Sequence, residues 1–550
     1  MKKMVNLASN PITWLALALL LAAGLKTWLV TGGWVSFNSD EAVVALMARH
    51  ILNGARPTFF YGQAYMGSLD AFLVALAFKI FSQQVWAIRL VQGLLYLGVL
   101  VSTAWLGKQI FNDLRVGALA ALLLAIPAVN VALYTTASLG GYGEALLLGN
   151  LIILCAMRIG DVRRVGALPG SFSWWGLCGF LIGFGLWAFG LTLVYSLPVM
   201  IYLVLLSWQQ QRKEPVPRVR LAAAFMVLGV GALLGAAPWW MFALRNGFQA
   251  LLVELTGGAI AGVEGLPWFF QVLRHTANLL LIGSTVVFGL RPPWAATWLA
   301  LPLLPFVLIF WMGVCVFIGR CMRRDSPQRA EQALLAGVIV VLLAGFVLTP
   351  FGADPSGRYF LPLAIPLSLF AAAMILEIHK KAGYWVSGLV LLLLVYNLWG
   401  TLQSALHFPP GVTTQFYAPA QVDHRYDQAL IDFLRQHAET RGYGNYWVAY
   451  PLAFLSAEEL IFAPRLPYLL DFRYTERDDR YLPYDDLVSQ AERVAYITTN
   501  HPGLDQSLRE KFKSLGVTSQ EIQIGDYHVF YALSKPIRPT QIGLGTTTNP

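Results

Sequence analysis

Residues 85–106, VWAIRLVQGLLYLGVLVSTAWL, contain a single charged side chain, Arg89. An α-helix needs about 20 consecutive apolar residues to cross the hydrocarbon core of a bilayer, so this stretch predicts a transmembrane helix. Similar runs recur from residue 11 to residue 405, and the 550-residue chain is 57% hydrophobic and only 13% charged. This composition indicates a polytopic α-helical membrane protein rather than a soluble enzyme with a large apolar core.

Eleven such segments are predicted to cross the membrane. The first is too long for a cleavable signal peptide and lacks a small-residue cleavage site, so we expect it to be retained. The apolar segment 68–81 is too short to cross and is predicted to lie in the outer interface as an amphipathic helix. The predicted spans are 11–31, 85–106, 115–134, 142–158, 174–190, 192–208, 220–243, 294–319, 331–350, 358–378 and 384–405.

Basic residues are distributed unequally between the two sides of the predicted membrane. Alternate connections carry 17 Lys or Arg residues, whereas the opposite connections carry seven. Because cytoplasmic loops of membrane proteins are enriched in Lys and Arg, the N-terminus is predicted to be cytoplasmic. The segment after the last span then lies outside the cell (plasma) membrane.

The chain is expected to consist of two domains. Residues 1–405 carry 26 basic and 13 acidic side chains, whereas residues 406–550 carry 13 and 17. Membrane topology therefore explains the basic excess better than nucleic-acid binding does, and no nucleic acid is expected as a partner. We predict a transmembrane domain, 1–405, with outer loops 32–84 and 245–292, and a small extracytoplasmic α/β domain, 406–550. Its expected elements are helices 426–439 and 505–515, strands 446–450, 459–463 and 493–499, and a hairpin 521–533.

The motif NSDEA, residues 38–42, stands at the head of a predicted interfacial helix, 40–53. Asp40 is predicted to be the N-cap residue, because the unpaired N–H groups of a first turn favour a carboxylate. An ionised carboxylate fixed at the membrane surface can act as a general base. Asp40 and Glu41 are therefore candidate catalytic residues, with Asp40 preferred. In the alternative interpretation, Asp40 only caps the helix and Glu41 is a solvated first-turn residue.

Two outer segments carry candidate substrate-binding residues. In FFYGQAYMGSLDAF, 59–72, the side chains of Tyr61, Gln63 and Asp70 are expected to face the same pocket as Asp40. Tyr61 and Tyr65 could equally be aromatic anchors at the membrane interface. In the glycine-rich stretch TTASLGGYGEALLLGN, 135–150, a ligand can approach the backbone closely. Tyr142 and Glu144 begin a span in this stretch.

Arg358 is the only basic residue of TPFGADPSGRYFLPLAIP, 349–366, and stands at the head of a span. It either extends towards the membrane surface as an anchor or binds a phosphate bidentately. The sequence contains no Walker A loop, Rossmann glycine signature or HExxH motif, and its four cysteines suggest no disulfide framework and no zinc site. A carboxylate base combined with an outer arginine therefore favours a lipid-phosphate donor over a soluble nucleotide sugar.

The order of these motifs resembles a known family. One span is followed by DEA, YGQAYMGSLDA, VWAIRLVQGLLYLGVLVSTAWLGKQIF, a glycine-rich outer loop before an acidic span start, and a late GRYFLPLAIP. This order resembles the C-type (GT-C) membrane glycosyltransferases, in the branch of the protein O-mannosyltransferases and aminoarabinose transferases. The resemblance covers nearly the whole membrane part and, only loosely, the C-terminal segment.

The resemblance implies a GT-C glycosyltransferase of the cell envelope that moves a sugar from a polyprenyl-phosphate carrier to an extracytoplasmic acceptor, with inversion. It implies that Asp40 acts as the base beside Glu41, and that Arg358 binds the donor phosphate. It also assigns Glu144 as the acidic residue after the second outer segment. Some relatives bind a divalent metal through a first-loop acid and a histidine. Here those positions hold Gln63, a weak ligand, and His275. The resemblance therefore does not establish that a divalent metal binds.

Other functions remain open at this stage. An oligosaccharide polymerase or ligase would use diphosphate-linked donors and need a wider outer cavity. A lipid or solute transporter would use the first-loop acids as gates and would show internal repeats. The sequence does not specify whether the acceptor is a protein, a lipid or a glycan.

Overall fold

The structure is a computed structural model that describes residues 10–164, 172–213, 217–256 and 266–546. The first span begins where Asn10 accepts a hydrogen bond from the Ile12 N–H at 2.9 Å and Pro11 fills the first helical position. Proline is favourable there because its missing N–H would have no helical partner. The elements as far as residue 164 are α1 (Pro11–Thr31), α2 (Ser39–Leu52), β1 (Phe59–Phe60), β2 (Gln63–Gly67), α3 (Leu69–Phe81), α4 (Val85–Phe111), α5 (Leu114–Ala125), α6 (Val129–Tyr134) and α7 (Tyr142–Arg164).

The chain continues mainly as helices up to residue 406. In the described part of this region, five short 3-10 helices, including Arg358–Leu363, and one π-helical turn, Asn278–Gly283, interrupt or precede the longer helices. The α-helices are α8 (Phe172–Ala188), α9 (Leu193–Lys213), α10 (Arg218–Gly235), α11 (Ala237–Asn246), α12 (Phe248–Leu255), α13 (Trp268–Ala277), α14 (Ser284–Val287), α15 (Leu304–Arg323), α16 (Arg329–Leu348), α17 (Ala364–Ala382) and α18 (Ser387–Leu406).

The polytopic fold class predicted from the sequence is confirmed. Within the described residues, nine helical segments are long and apolar enough to cross a membrane, and each coincides with a predicted span. The other two predicted spans are shorter helices. The predicted span 174–190 is the 17-residue helix α8, and 115–134 is divided into α5 and α6.

The break between α5 and α6 occurs at Pro127, which has no N–H to continue the helix. Two carbonyl groups freed by the break accept hydrogen bonds from neighbouring helices. The Tyr96 hydroxyl donates to the carbonyl of Leu124 at 2.5 Å, and the Asn397 amide donates to that of Ile126 at 2.9 Å. The break is therefore stabilised by specific hydrogen bonds, and it changes the direction of the chain between α5 and α6.

The helix after Arg358 lies at the centre of the bundle. In the most apolar window of the segment Arg358–Lys381, 83% of the residues are buried, against 17% for the segment Leu301–Arg323. The second segment therefore exposes its apolar side chains to the surroundings, as expected for a helix that faces lipid. Close packing also uses small residues: a Cβ on Gly107 of α4 would lie 2.2 Å from the Cα of Gly117 of α5.

Residues 407–546, here called the tail, form a five-stranded mixed sheet with helices. The elements are α19 (Asp427–Gln436), β3 (Arg441–Gly444), α20 (Tyr446–Leu455), β4 (Ile461–Pro464), α21 (Pro483–Ser489), β5 (Ala495–Thr499), α22 (Pro502–Ser514), β6 (Gln520–Ile524) and β7 (Tyr527–Tyr531). The strand order is β4-β3-β5-β7-β6, in which β3 is parallel to β4 and β5, and β7 is antiparallel to β5 and β6.

One predicted strand of the tail is wrong. Residues 446–450 form the start of helix α20, whose N-cap Asn445 accepts a hydrogen bond from the Trp447 N–H at 3.0 Å. Nearly every side chain of α20 is buried, and periodicity cannot distinguish a short buried helix from a buried strand. The strand that precedes it contains Gly442, where a Cβ would lie 2.2 Å from the Ala495 carbonyl oxygen. Glycine is unfavourable in strands, so the sequence pattern gave no signal for β3.

Two predictions for helix α2 also need correction. The N-cap residue is Asn38, whose side chain accepts from the Asp40 N–H at 3.2 Å, so Asp40 lies in the first turn. The helix is also not an interfacial one, because it packs between α3 and α20 and is buried along almost its whole length. The tail covers the face that the sequence pattern assigned to the membrane surface.

Candidate functional site

Five of the residues predicted to carry chemistry meet around a polar cavity between the outer loops and the tail. The first outer loop, the glycine-rich turn before α7, the 3-10 helix Arg358–Leu363 and the tail each contribute part of its wall. The lining residues are Asp40, Phe60, Gln63, Tyr65, Met66, Tyr134, Leu139, Tyr142, Arg358, Thr414, Phe416, Tyr446 and Arg480.

Asp40 is held in this cavity by two hydroxyl groups of the tail. The Tyr446 hydroxyl donates to one carboxylate oxygen at 2.7 Å, and the Thr414 hydroxyl donates to the other at 2.7 Å. Thr414 is itself fixed by the Asn38 side-chain amide, which donates to its oxygen at 2.8 Å. Each carboxylate oxygen keeps a further lone pair, so the group can accept an additional proton donor. Asp40 is therefore oriented and chemically available.

Arg358 reaches the cavity from the start of the 3-10 helix Arg358–Leu363, far from Asp40 in the sequence. The preceding residue, Gly357, has a φ of +96°, and a Cβ there would lie 2.5 Å from a methyl carbon of Val286. Only glycine satisfies both constraints without strain. The guanidinium is paired with Asp354 and lies 5.0 Å from the Tyr359 ring. Among the described residues, nothing accepts a hydrogen bond from its buried Nε–H.

Three further predicted residues line the same cavity. Gln63 and Tyr65 lie on β2, and Tyr142 begins α7. The Tyr142 ring packs edge-on against Phe189, with the ring centroids 4.9 Å apart. The structure thus brings together Asp40 and Arg358 with three of the predicted substrate-binding residues.

Glu41 points away from the cavity. Its carboxylate receives three hydrogen bonds from Arg89 of α4, at 2.8 to 3.3 Å, and both side chains are almost completely buried. A buried bidentate pair of this kind fixes one helix against another. Glu41 is neither solvated nor in contact with the cavity.

Tyr61, Asp70 and Glu144 also lie outside the cavity lining. The Tyr61 ring stacks on Tyr481 at 4.8 Å, and its hydroxyl lies 3.0 Å from His50. The Asp70 carboxylate accepts from the Ser138 hydroxyl, the Gln92 amide and the Gly140 N–H at 2.6 to 3.1 Å. Burial raises the pKa of Asp70. Glu144 is buried next to Asp70. Through the contacts of Asp70 with Ser138 and Gly140, this buried pair helps to fix the glycine-rich turn.

His275 does not reach the cavity either. It is buried beneath the short 3-10 helix Pro350–Ala353, where its Nδ1 lies 3.1 Å from the carbonyl oxygen of Val347. A Cβ on Gly352 would lie 2.3 Å from the imidazole ring. In the described part of the chain, no group of three or more His, Cys, Asp and Glu side chains is arranged to hold a metal ion.

The sequence interpretation missed the contribution of the tail. Thr414, Tyr446 and Arg480 line the cavity beside Asp40, although more than 370 residues separate each of them from it along the chain. Asp478 lies near Asp40 and Arg480, and its burial raises its pKa to about 7. No local pattern marks these residues. The one available signal was the segment from 476 to 480, in which all five side chains are charged.

An apolar groove lies next to the polar cavity, and Tyr65 lines both. The walls of the groove come from α9, α12, α16 and the two 3-10 helices that flank Asp354. Its lining residues are Tyr65, Phe189, Gly190, Leu191, Leu193, Val194, Leu197, Leu255, Val341, Leu342, Gly345, Phe346, Thr349, Phe351 and Tyr359. This part of the molecule therefore combines a charged cavity with an apolar groove.

The sequence matches no protein-family model and no curated protein. Solved structures nevertheless share the fold. ArnT from Cupriavidus metallidurans bound to undecaprenyl phosphate is 14% identical with a TM-score of 0.53, over 94% of this chain and 97% of that chain. The apo oligosaccharyltransferase of Archaeoglobus fulgidus is 13% identical with a TM-score of 0.55, over 89% of this chain and 69% of that chain.

A third similar structure is the Archaeoglobus fulgidus oligosaccharyltransferase AglB in complex with an inhibitory peptide and a dolichol-phosphate. It is 14% identical with a TM-score of 0.50, over 89% of this chain and 69% of that chain. These similarities extend from the membrane helices into the tail. The chain therefore has the fold of the GT-C membrane glycosyltransferases.

Proposed function

We propose that this protein is a membrane glycosyltransferase that moves a sugar from a polyprenyl-phosphate carrier to an acceptor hydroxyl. The observation that carries the proposal is the polar cavity with Asp40 and Arg358 in its wall, next to an apolar groove that shares the lining residue Tyr65. An isoprenoid chain requires an apolar surface, and its phosphate requires a cationic one. The bound lipids of the similar structures, undecaprenyl phosphate and dolichol-phosphate, are of this class.

Arg358 is proposed to bind the donor phosphate. Its present partner, Asp354, is an acid on the same loop, and its Nε–H has no acceptor among the described residues. A phosphate offers several oxygens and can accept from more than one nitrogen of the guanidinium. Binding there would neutralise the charge that develops on the phosphate as the glycosidic bond breaks.

Asp40 is proposed to be the general base of a single inverting displacement. The acceptor oxygen forms a bond to the anomeric carbon, while the bond from that carbon to the phosphate oxygen breaks and its electron pair stays on the phosphate. The acceptor proton passes to the Asp40 carboxylate. The Tyr446 and Thr414 hydroxyls orient this carboxylate, and Gln63, Tyr65 and Tyr142 are proposed to contact the substrate.

Two structural assignments belong to the same proposal. We assign residues 1–405 to a transmembrane catalytic domain and 406–550 to an extracytoplasmic domain that completes the cavity. We also assign the N-terminus to the cytoplasm, because this orientation places the more basic connections inside. The cavity then opens to the outer side of the membrane.

The test replaces Asp40 with Asn and measures consumption of undecaprenyl-phosphate-linked hexoses and pentoses in membranes that contain the protein. Loss of the base should lower the rate by about 10²- to 10⁴-fold. The matched control is Asp471→Asn, an exposed tail carboxylate paired with Arg473, which should leave the rate unchanged. Near-full activity in a correctly folded D40N protein would contradict the assignment of the base.

A further inference from the structure

The tail loop that follows the 3-10 turn Glu476–Asp478 places an arginine in the cavity wall. Arg480 lines the cavity together with Asp40 and Arg358. When the Gln63 amide oxygen faces it, the two terminal nitrogens of the guanidinium donate to that oxygen at 2.8 and 2.9 Å. The guanidinium carbon also lies 5.5 Å from the centre of the Tyr446 ring. The side chain is therefore held in one orientation by both the first outer loop and the tail.

The first outer loop leaves space for this side chain. Gly62, which precedes β2, has a φ of +71°. A Cβ at that position would lie 2.9 Å from the Cδ atom of Arg480. The glycine therefore permits a turn and a close approach of Arg480 at the same point.

One donor of this fixed guanidinium is unused. Its Nε–H is buried, and no group among the described residues accepts a hydrogen bond from it. A buried donor without a partner is unfavourable, whereas a substrate oxygen in the cavity would satisfy it. Arg358 has the same feature on its own part of the wall. Two guanidinium groups with free Nε–H donors thus line a single cavity.

The positions of Arg480 and Arg358 in the cavity wall indicate that the two arginines have different roles. Arg480 belongs to the same wall as Asp40, because Tyr446 both donates to the Asp40 carboxylate and packs under Arg480. Arg358 comes from the membrane part and is paired with Asp354. In an inverting displacement, the leaving phosphate and the base lie on opposite sides of the anomeric carbon, with the transferred sugar between them.

We infer that Arg480 binds the transferred glycosyl group of the donor, by donating hydrogen bonds to its hydroxyl or carboxylate oxygens. This inference rests on the proposed function. It makes the tail a sugar-binding part of the site, and it assigns the phosphate and the sugar to different arginines.

The test is a thermodynamic cycle of binding to the full-length protein in detergent. Native protein and the Arg480→Gln, Arg358→Gln and Arg473→Gln variants are titrated with undecaprenyl phosphate, undecaprenyl-phosphate-mannose and undecaprenyl-phosphate-galacturonic acid. In native protein, a sugar should tighten binding about tenfold or more over the bare lipid. R480Q should abolish this gain and leave bare-lipid binding within about twofold. R358Q should weaken binding of all three lipids. R473Q changes an exposed residue and should not weaken binding of any of them.

The outcomes separate the possible errors. Equal weakening of all three lipids by R480Q, no effect of R480Q, or no gain from either sugar in native protein would overturn the inference. Failure of native protein to bind bare undecaprenyl phosphate would instead contradict the proposed function. A larger loss with the uronic acid would identify a carboxylate as the acceptor oxygen, and equal losses would identify hydroxyls; both support the assignment. Arg480→Lys keeps the charge without the planar fork and should lose only part of the gain, which gives a second reading if R480Q folds poorly.

Discussion

Asp40 is the proposed general base, and two hydroxyl groups of the tail define its environment. Each of its carboxylate oxygens accepts a hydrogen bond from a hydroxyl group of the tail. Hydrogen bonds of this kind fix the direction of the carboxylate. A base that removes the proton of an acceptor hydroxyl benefits from this fixed direction, because misplacement slows proton transfer.

Replacement of Tyr446 with Phe tests this orientation. The variant should lower the kcat of sugar transfer by about tenfold, because one of the two groups that hold the Asp40 carboxylate is lost. The KM for the lipid donor should change little, since Arg358 is untouched. Steady-state kinetics with matched thermal unfolding would measure both, with Tyr531→Phe on the last strand of the tail as control. An unchanged kcat would show that Thr414 alone suffices.

Asp478 predicts a pH dependence of stability. Its pKa is raised from the ordinary 3.8 to about 7, because burial disfavours its charged form. The folded protein therefore keeps a proton that the unfolded chain releases near pH 4. Stability from this group is fully present below about pH 4 and falls as pH rises towards 7, by up to about 1.4 kcal/mol per pH unit.

Replacement of Asp478 with Asn should flatten this decline. Thermal unfolding of the purified protein between pH 4 and 7 would measure the change. Asp479, whose pKa burial raises to about 6, should keep a smaller slope in the variant. A slope identical to that of the native protein would mean that Asp478 titrates near its ordinary value in the folded state.

Helices α2 and α4 are joined by a buried ion pair, and this contact separates the roles of two adjacent acids. Glu41 and Arg89 have side-chain exposures of only 1% and 5%. Removal of one partner from a buried pair leaves an uncompensated charge and costs about 3–5 kcal/mol. Glu41 is thus expected to fix α2 of the first outer loop against α4, while Asp40 is the proposed base.

The variant Glu41→Gln should lower the thermal unfolding temperature by several degrees while the remaining folded protein keeps its turnover. Asp40→Asn should lower the turnover and leave the thermal unfolding temperature nearly unchanged. The double replacement Glu41→Met with Arg89→Met should recover part of the stability, because no charge is then left unpaired. An E41Q protein that is as stable as the native one but inactive would move Glu41 into the chemistry.

At the scale of the whole molecule, the tail is locked onto the first outer loop and onto the helices of the second. Arg49 of α2 donates to the carbonyl of Phe454 at 3.0 Å. Arg477 pairs with Glu254 of α12 at 2.8 Å, next to Leu255 in the apolar groove. The cavity is therefore complete only when the tail is docked, which explains how a segment far away in sequence supplies part of its wall.

The proposed orientation predicts where a thiol reagent can reach the chain. A cysteine at exposed Gln490 in the tail should react with a membrane-impermeant maleimide in intact cells. A cysteine at exposed Asp325, between α15 and α16, should react only after permeabilisation. Labelling would be followed by gel shift in a background that lacks the four native cysteines. The opposite labelling pattern would invert the topology.

The sequence alone was sufficient for the membrane class, for nine of the eleven predicted spans and for most elements of the tail. These features depend on local properties, such as the length of an apolar run or the proline and glycine that interrupt it. The failures occurred where local pattern is ambiguous. Residues 446–450 are buried on all sides, and their pattern fits a strand as well as a helix. The glycines of β3 are unfavourable in strands, so this strand was not predicted; its pairing with β4 and β5 stabilises it.

The sequence by itself also determined that an acidic pair follows the first span and that an arginine begins a late one. Only the tertiary structure decided which acid reaches the cavity. Asp40 and Glu41 are adjacent, but successive side chains on a helix differ by about 100° in direction. One therefore faces the tail hydroxyls and the other Arg89. The tail residues at the site could not be read from the chain, because their proximity arises from docking of two distant segments and leaves no local pattern.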